Sequence, residues 1–197
     1  LNADLFVVVA FRMLPEMVWN MPEFGTVNVH GSLLPQYRGA APINWAIING
    51  DKETGVTVFR LKHEIDTGDI LLRKWAPISP VDNAESVHDK LMYIGGEAIV
   101  EAVNLIAEGS PEYLPQLKDD NLRPAPKIFK DTCQINWNHE IESIQNFIRG
   151  LSPYPAAWTS FLHDEKVMAI KVFKTAFSLE KTEKPGIIKT DNKTFLK

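Results

Sequence analysis

Asn28-Val29-His30-Gly31-Ser32-Leu33-Leu34-Pro35, followed by Asp66-Thr67-Gly68-Asp69, is the stretch that decides the fold. Thr26 to His30 reads as a strand. It runs into a loop punctuated by Gly and Pro, Gly31 to Pro42, and Pro42 then opens a helix that ends near Gly50. Asn28 and His30 are two residues apart, so on an extended strand their side chains share one face. Strand ends in open α/β sheets are where ligands bind, which places this polar pair at a candidate site. Leu33, Leu34 and Pro35 beside it offer an apolar wall for a flat ligand. Gly31 suits a close backbone approach or an unusual φ, and Gly68 lets the turn after Asp66 close tightly.

Outward from this point the pattern stays α/β. Leu5 to Phe11 is a short, β-branched apolar run that reads as a buried parallel strand. Pro15 can start a short helix over Glu16 to Met21. Thr54 to Leu61 and Ile70 to Ile78 alternate as strands, divided by the His63–Asp69 turn. Asp82 fits a helix N-cap, with Glu85 three residues on. The helix then carries Val87, Leu91, Ile94, Ala98, Ala102 and Leu105 at helical period, and Gly109 closes it. This order predicts an α/β sheet covered by helices. Residues 111–126 are polar, with prolines at 111, 115, 124 and 126, and read as an extended linker. Residues 1–110 then form a first unit and 127–197 a second. The second has one helix, Glu140 to Leu151, and β-rich segments Trp158–Leu162, Val167–Phe177 and Ile187–Thr190, the pattern of a small β-barrel.

The chain has 197 residues, 45% apolar and 23% charged, enough for a sizeable core. No apolar run approaches the roughly 20 residues of a transmembrane helix, and no membrane partner is expected. Cys133 is the only cysteine, which excludes an intrachain disulfide and points to a reducing compartment. No Cys/His cluster has zinc-ligand spacing, and no metal is expected. Residues 1–126 carry 10 Lys and Arg against 17 Asp and Glu, or −7. Residues 127–197 carry 11 against 8, or +3. A basic back end fits either a polyanion or plain solvation. Neither terminus shows a natural start or stop pattern, so a piece of a longer protein is expected.

Asn, His and Asp together suit acyl transfer between amines. Attack on a carbonyl forms an oxyanion, which needs a donor such as Asn28. A group near neutral pKa must handle the amine proton, which suits His30. Asp66 suits orienting that imidazole and accepting a proton through water. The same Asn and His at a strand end also serve as satisfied structural groups, and the pair alone does not separate the readings. Tyr37 and Arg38 look like exposed loop residues that either brace the loop or touch substrate. His63, His88, His139 and His163 read as surface residues, Cys133 as inert and Trp158 as core.

From Asn28 through Gln36-Tyr37-Arg38-Gly39-Ala40-Ala41-Pro42-Ile43, the sequence closely resembles the signature of the methionyl-tRNA formyltransferase family. The resemblance continues through Gly50-Asp51, Thr54-Gly55-Val56-Thr57 and Asp66-Thr67-Gly68-Asp69. It returns in Ala125-Pro126-Lys127-Ile128 and in Ile148-Arg149-Gly150-Leu151-Ser152-Pro153-Tyr154-Pro155-Ala156-Ala157-Trp158. It implies a Rossmann-type formyltransferase domain, here without its N-terminal part, followed by an OB-like barrel that this chain truncates. It implies transfer of the formyl group of 10-formyltetrahydrofolate to the α-amine of methionyl initiator tRNA. By motif position Asn28, His30 and Asp66 are the catalytic triad, and Ser32, Leu33, Leu34 and Pro35 contact the folate. A monomer in the cytoplasm or an organellar matrix is expected.

Phe11-Arg12 stands where the family often has Tyr-Gly. Two relatives of the activity stay open, an aminosugar-nucleotide formyltransferase and a hydrolase that releases formate. A non-catalytic folate- or RNA-binding module is the third reading, against which the retained triad argues. Trp137, Tyr154, Trp158 and Phe161 are candidates for stacking on bases. Lys166, Lys171, Lys174, Lys181, Lys184, Lys189 and Lys193 are candidates for phosphate contact.

Overall fold

In the computed structural model, residues 2–11, 13–117, 120–163, 165–177, 187 and 193 are described. Four strands form one mixed sheet in the order β1 (Phe6–Val9), β2 (Thr26–His30), β3 (Glu53–Arg60) and β4 (Ile70–Pro77). β1 and β2 run parallel, with Val8 opposite Asn28. β2 and β3 run antiparallel, with His30 opposite Thr57, and β3 and β4 are also antiparallel. The short helix α1 (Glu16–Trp19) lies between β1 and β2 in the chain, and α2 (Pro42–Ile48) follows the β2 loop. Pro42 sits in the first turn of α2, where its missing N–H costs nothing.

β3 is the hub. Thr54 to Phe59 are all buried, so both faces of the strand are covered. Val56 and Val58 face a core shared with α3 (Ala84–Ala107), which presents Val87, Leu91, Ala98, Ala102 and Ile106 at helical spacing. On the other face Phe59, 0% exposed, packs against Leu34 and Ile70. β1 departs from the expectation of a buried strand. Within this chain β1 is the outermost of the four strands, and Val7 and Val9, on one of its faces, are 43% and 58% exposed.

The start of α3 also differs by one residue from the sequence expectation. The N-cap is Asn83, not Asp82: its side chain accepts from the Ser86 amide while the Ser86 hydroxyl accepts from the Asn83 amide. Asp82 instead ties down the preceding turn. It accepts from the Ser79 amide, the Ser86 hydroxyl and the Lys90 ammonium. Burial opposes ionisation of this carboxyl, but Lys90, Ser79 and Ser86 together outweigh it and hold the pKa below the ordinary value. A carboxyl depressed in the folded state stabilises above its unfolded pKa of about 3.9 and ceases to do so as pH falls through the folded value. Asp82→Ala is therefore expected to cost about 1.5–3 kcal/mol at pH 7. Urea unfolding at a series of pH values should show that difference shrinking below about pH 4. A difference independent of pH would mean that the charge is not what holds the turn.

The second unit holds a 3₁₀ turn (Lys130–Cys133), α4 (Ile141–Gly150), and the antiparallel pair β5 (Ala157–His163) and β6 (Lys166–Val172). Its core gathers Cys133, Ile135, Ile148, Leu151 and Ala157, with Trp158 packed against it. Burial pushes the Cys133 thiol up, which keeps it protonated and unreactive. The barrel expected from the sequence is not closed among the described residues, where this unit has a two-stranded sheet. The strand expected over Val167–Phe177 ends at Val172, and of the one expected over Ile187–Thr190 only Ile187 is described. Arg12, Lys181, Lys184 and Lys189 also lie outside the described residues, as does the side chain of His163.

The two units are joined directly. The Asn44 amide on α2 donates to the Gly150 carbonyl at 2.7 Å. A side chain at Gly150 would come within 2.7 Å of Ile48, so glycine sets the helix approach. Arg149 donates to the carbonyls of Ser79 and Asp82, tying α4 to the turn before α3.

Candidate active site

A cleft of about 1080 Å³ opens at the ends of β1 and β2, under α3. Asn28, His30 and Asp66 all line it. Ile43, Leu91, Met92 and Ile99 give it apolar walls from α2 and α3. Such a space, apolar with a few convergent polar groups, suits a flat organic ligand. A second concavity of about 630 Å³ runs along one helix only, α3, and no other element brings chemistry to it.

The strand period puts Asn28 and His30 on the cleft side. Among the described residues the Asn28 side-chain amide has no hydrogen-bond partner, so its donor is available to a ligand. His30 is 8% exposed. Its Nε2 lies 2.8 Å from the Tyr37 carbonyl oxygen, which can only accept, so Nε2 carries the hydrogen. That leaves the Nδ1 lone pair toward Asp66, 3.7 Å from its Oδ2. Asp66 Oδ2 accepts from the Gly39 amide at 2.9 Å. At that distance the carboxylate faces Nδ1 without a hydrogen bond to the neutral imidazole.

Asp66 sits at φ 54, in the left-handed region, one residue before Thr67 and two before Gly68. A Cβ at Gly68 would overlap the Arg60 carbonyl oxygen and lie 2.8 Å from its carbon. Glycine is therefore required there by space. Of the two roles open to Gly31, the unusual φ is not taken, while the residue does line the cleft; a Cβ there would meet Ile43 at 3.4 Å.

Ser32, Leu33, Leu34 and Pro35 do not line the cleft. Ser32 is buried and its hydroxyl donates to the Gln36 carbonyl. The Thr57 hydroxyl donates to the Ser32 carbonyl and accepts from the Leu34 amide. Arg73 Nε donates to the Leu34 carbonyl, and the Leu34 side chain is 1% exposed against Phe59. This turn is thus fastened to β3 and β4.

Tyr37 and Arg38 are not the exposed loop residues that the sequence suggests. Tyr37 is 3% exposed, and its hydroxyl donates to Asp51 at 2.8 Å. Burial, with the Asp51 carboxylate adding to it against Asn49 and Arg123, pushes this phenol up to about 12. The phenol therefore stays a donor to Asp51 at neutral pH. Arg123 pairs with Asp51 through two nitrogens at 2.8 and 2.9 Å and lies over the Tyr37 ring, 4.8 Å from its centre. Arg38 donates twice to Gln116 Oε1.

Residues 111–117 and 120–126 form a strap along the loop after β2 and the Asp66 turn. Leu114 and Ile70 exchange backbone hydrogen bonds. Ala125 accepts from the Ala40 amide and donates to the Arg38 carbonyl, and the Arg123 carbonyl accepts from the Tyr37 amide. Gln116 and Arg123, which brace the loop after β2 and the Asp66 turn, are the residues that sequence reasoning misses. No local pattern marks them, because their partners lie tens of residues away in the chain.

His63 is an exposed turn residue near Glu16, and His88 is exposed on α3 at the cleft edge. His139 is exposed beside Asn136. Trp158 Nε1 donates to the Lys130 carbonyl, whereas Trp137 and Tyr154 stay 41% and 82% exposed.

Residues 1–103, just over half of the chain, match the family model described as formyl transferase. Residues 127–196 match the formyl transferase C-terminal domain. The chain is 56% identical to the methionyl-tRNA formyltransferase of Bacteroides fragilis over all of its own length and 62% of that protein's. It is 51% identical to the methionyl-tRNA formyltransferase of Porphyromonas gingivalis, over 87% of this chain and 54% of that one. The chain thus spans less than two thirds of the curated relatives it matches. HypX from Aquifex aeolicus in complex with tetrahydrofolic acid shares the fold with a TM-score of 0.74 and 22% identity, over 94% of this chain and 31% of that one. The sugar 3N-formyl transferase WlaRD, solved with dTDP and 5-N-formyl-THF, gives 0.72 and 22%, over 94% and 65%. With its cleft built from the signature residues and both family domains matched, the chain belongs to the formyl transferase family.

Proposed function

We propose that the full-length protein transfers the formyl group of 10-formyltetrahydrofolate to the α-amine of methionyl initiator tRNA. The observation that carries the chemistry is the convergence of an unpaired Asn28 amide, His30 Nδ1 and Asp66 on one apolar cleft. The choice of acceptor draws on the relatives, which are named methionyl-tRNA formyltransferases at 56% identity.

In this reading the amine attacks the formyl carbon and its oxygen becomes an oxyanion. Asn28 donates to that oxygen and needs no ionisation to do so. His30 Nδ1 takes the proton from the attacking nitrogen while Nε2–H stays on the Tyr37 carbonyl. Asp66 stabilises the imidazolium so formed, and the proton then passes to the departing folate nitrogen as the carbon–nitrogen bond breaks. Ile43, Leu91 and Ile99 fit the apolar faces of a pterin ring. Ser32, Leu33, Leu34 and Pro35 are assigned to the folate site by motif position; they act as the fastened turn behind His30, outside the cleft lining.

The second unit, read as an OB-like domain, is the tRNA arm. Exposed Trp137 and Tyr154 are available for stacking, and the Lys166, Lys171 and Lys174 region supplies positive charge. Among the described residues no helix is long and apolar enough to cross a membrane, and a cytoplasmic setting fits a partner in translation.

The test offers charged initiator tRNA and a nucleotide-linked aminosugar as competing acceptors with 10-formyltetrahydrofolate. Transfer to the tRNA alone is the expected result. Transfer to the sugar would move the protein to a small-molecule acceptor, and formate release without transfer would make it a hydrolase.

A further inference from the structure

We propose that Gln116, on the strap between the two units, is a positioning residue that holds Asp66 in its working conformation. The proposal rests on the formyl-transfer reading of the site. The Gln116 side-chain Nε2 donates to two carbonyls of one turn, that of Asp66 at 2.8 Å and that of Gly68 at 2.8 Å. Its Oε1 is occupied by Arg38 Nε at 3.1 Å and Nη2 at 2.6 Å. Every hydrogen-bonding atom of the amide is therefore used, and the acceptor is fixed by a charged donor.

Asp66 needs such a clamp. It is a non-glycine residue at φ 54, a conformation that Asp adopts more readily than most residues and that the surrounding hydrogen bonds select here. On its own side the restraints are the Thr67 amide and hydroxyl bonds to the Glu64 carbonyl, the fit of Gly68 against Arg60 and the Arg60 amide bond to the Asp69 carbonyl. From outside, the Gly39 amide holds the Asp66 carboxylate, and Gln116, 50 residues further along the chain, holds the backbone of the turn. The same clamp reaches the His30 side of the site. Arg38 follows Tyr37, whose carbonyl holds His30 Nε2, and precedes Gly39, whose amide holds Asp66 Oδ2. One amide thus sets the spacing between the loop that orients the imidazole and the turn that carries the carboxylate.

Gln116→Leu and Gln116→Glu separate this role from general packing. Leucine keeps the bulk and loses all four hydrogen bonds. Glutamate keeps the acceptor for Arg38 and loses both donors to the Asp66 turn. In the full-length protein both are expected to lower kcat about tenfold or more, with little change in KM for the folate. Placed on an Asp66→Ala background, either is expected to add almost nothing, since the group that Gln116 positions is gone. A full multiplicative loss on that background, or a change confined to KM, would overturn the proposal.

Amide hydrogen exchange over residues 62–69 supplies a readout independent of turnover. Faster exchange in both variants is expected, and unchanged exchange would also overturn the clamp. If the unaltered protein transferred formyl to no acceptor, the functional reading would fall. The exchange result would then decide the clamp by itself.

Discussion

Alanine at His30 is expected to lower turnover by about a hundredfold or more while folate affinity changes little. The reason lies in what the imidazole touches. It is nearly buried, it leans on the Tyr37 carbonyl through Nε2, and its Nδ1 faces the cleft beside Asp66. It is not part of the apolar wall, so its loss removes proton transfer more than binding. Asp66→Ala is expected to do much the same, because the Gly39 amide loses its acceptor and the imidazolium its counter-charge. In the proposed mechanism Asn28→Ala takes away the oxyanion donor, and turnover is expected to fall about a hundred- to a thousandfold. Single-turnover formyl transfer, with folate binding measured separately, checks all three. Turnover near that of the unaltered protein in the His30 and Asp66 variants would sink the site assignment.

These variants also bear on how the three residues act together. If Asn28 serves the oxyanion and His30 the proton, each retains part of its effect without the other. If Asp66 works only through His30, the double variant at those two positions should be no slower than His30→Ala alone. The 3.7 Å between Asp66 Oδ2 and His30 Nδ1 favours the second pattern, since the carboxylate is placed to respond to charge on the ring.

The part of the site that local pattern carries is the part built on β2. Strand periodicity puts Asn28 and His30 on one face, and the Gly and Pro after them end the strand where a cleft can open. The helix α3 is legible for the same kind of reason: Val87, Leu91, Ala98 and Ala102 recur at helical spacing and are buried. What local pattern misses is set by distant partners. Tyr37 looks exposed in a polar loop but is buried because Asp51 and Arg123 satisfy its hydroxyl and cover its ring. Residues 111–126 have the composition of a linker, yet Leu114 bridges to Ile70 and Ala125 to Gly39. The cap of α3 moves to Asn83 because Asp82 is claimed by Lys90 and Ser79. β1 reads as buried because Val and Phe fill it, and its edge position follows only from the strand order.

Gly68→Ala is expected to produce the largest loss from the smallest change. The added methyl would overlap the Arg60 carbonyl oxygen and come 3.0 Å from the Phe59 ring. Neither neighbour can give way. Arg60 is in the β3 ladder, and its amide bonds the Asp69 carbonyl at 2.9 Å. Phe59 is fully buried between Leu34 and Ile70. The turn itself must move, which carries Asp66 away from His30 and breaks the two Gln116 hydrogen bonds. Overpacking of this kind costs about 1–3 kcal/mol, and turnover should fall as far as in Asp66→Ala. Gly31→Ala makes the contrast, because the same methyl there meets Ile43 at 3.4 Å, an ordinary contact with a side chain. Its unfolding midpoint should stay close to that of the unaltered protein. Equal midpoints for the two alanine variants, with turnover retained in both, would show that the Asp66 turn is not held where the Arg60 carbonyl demands.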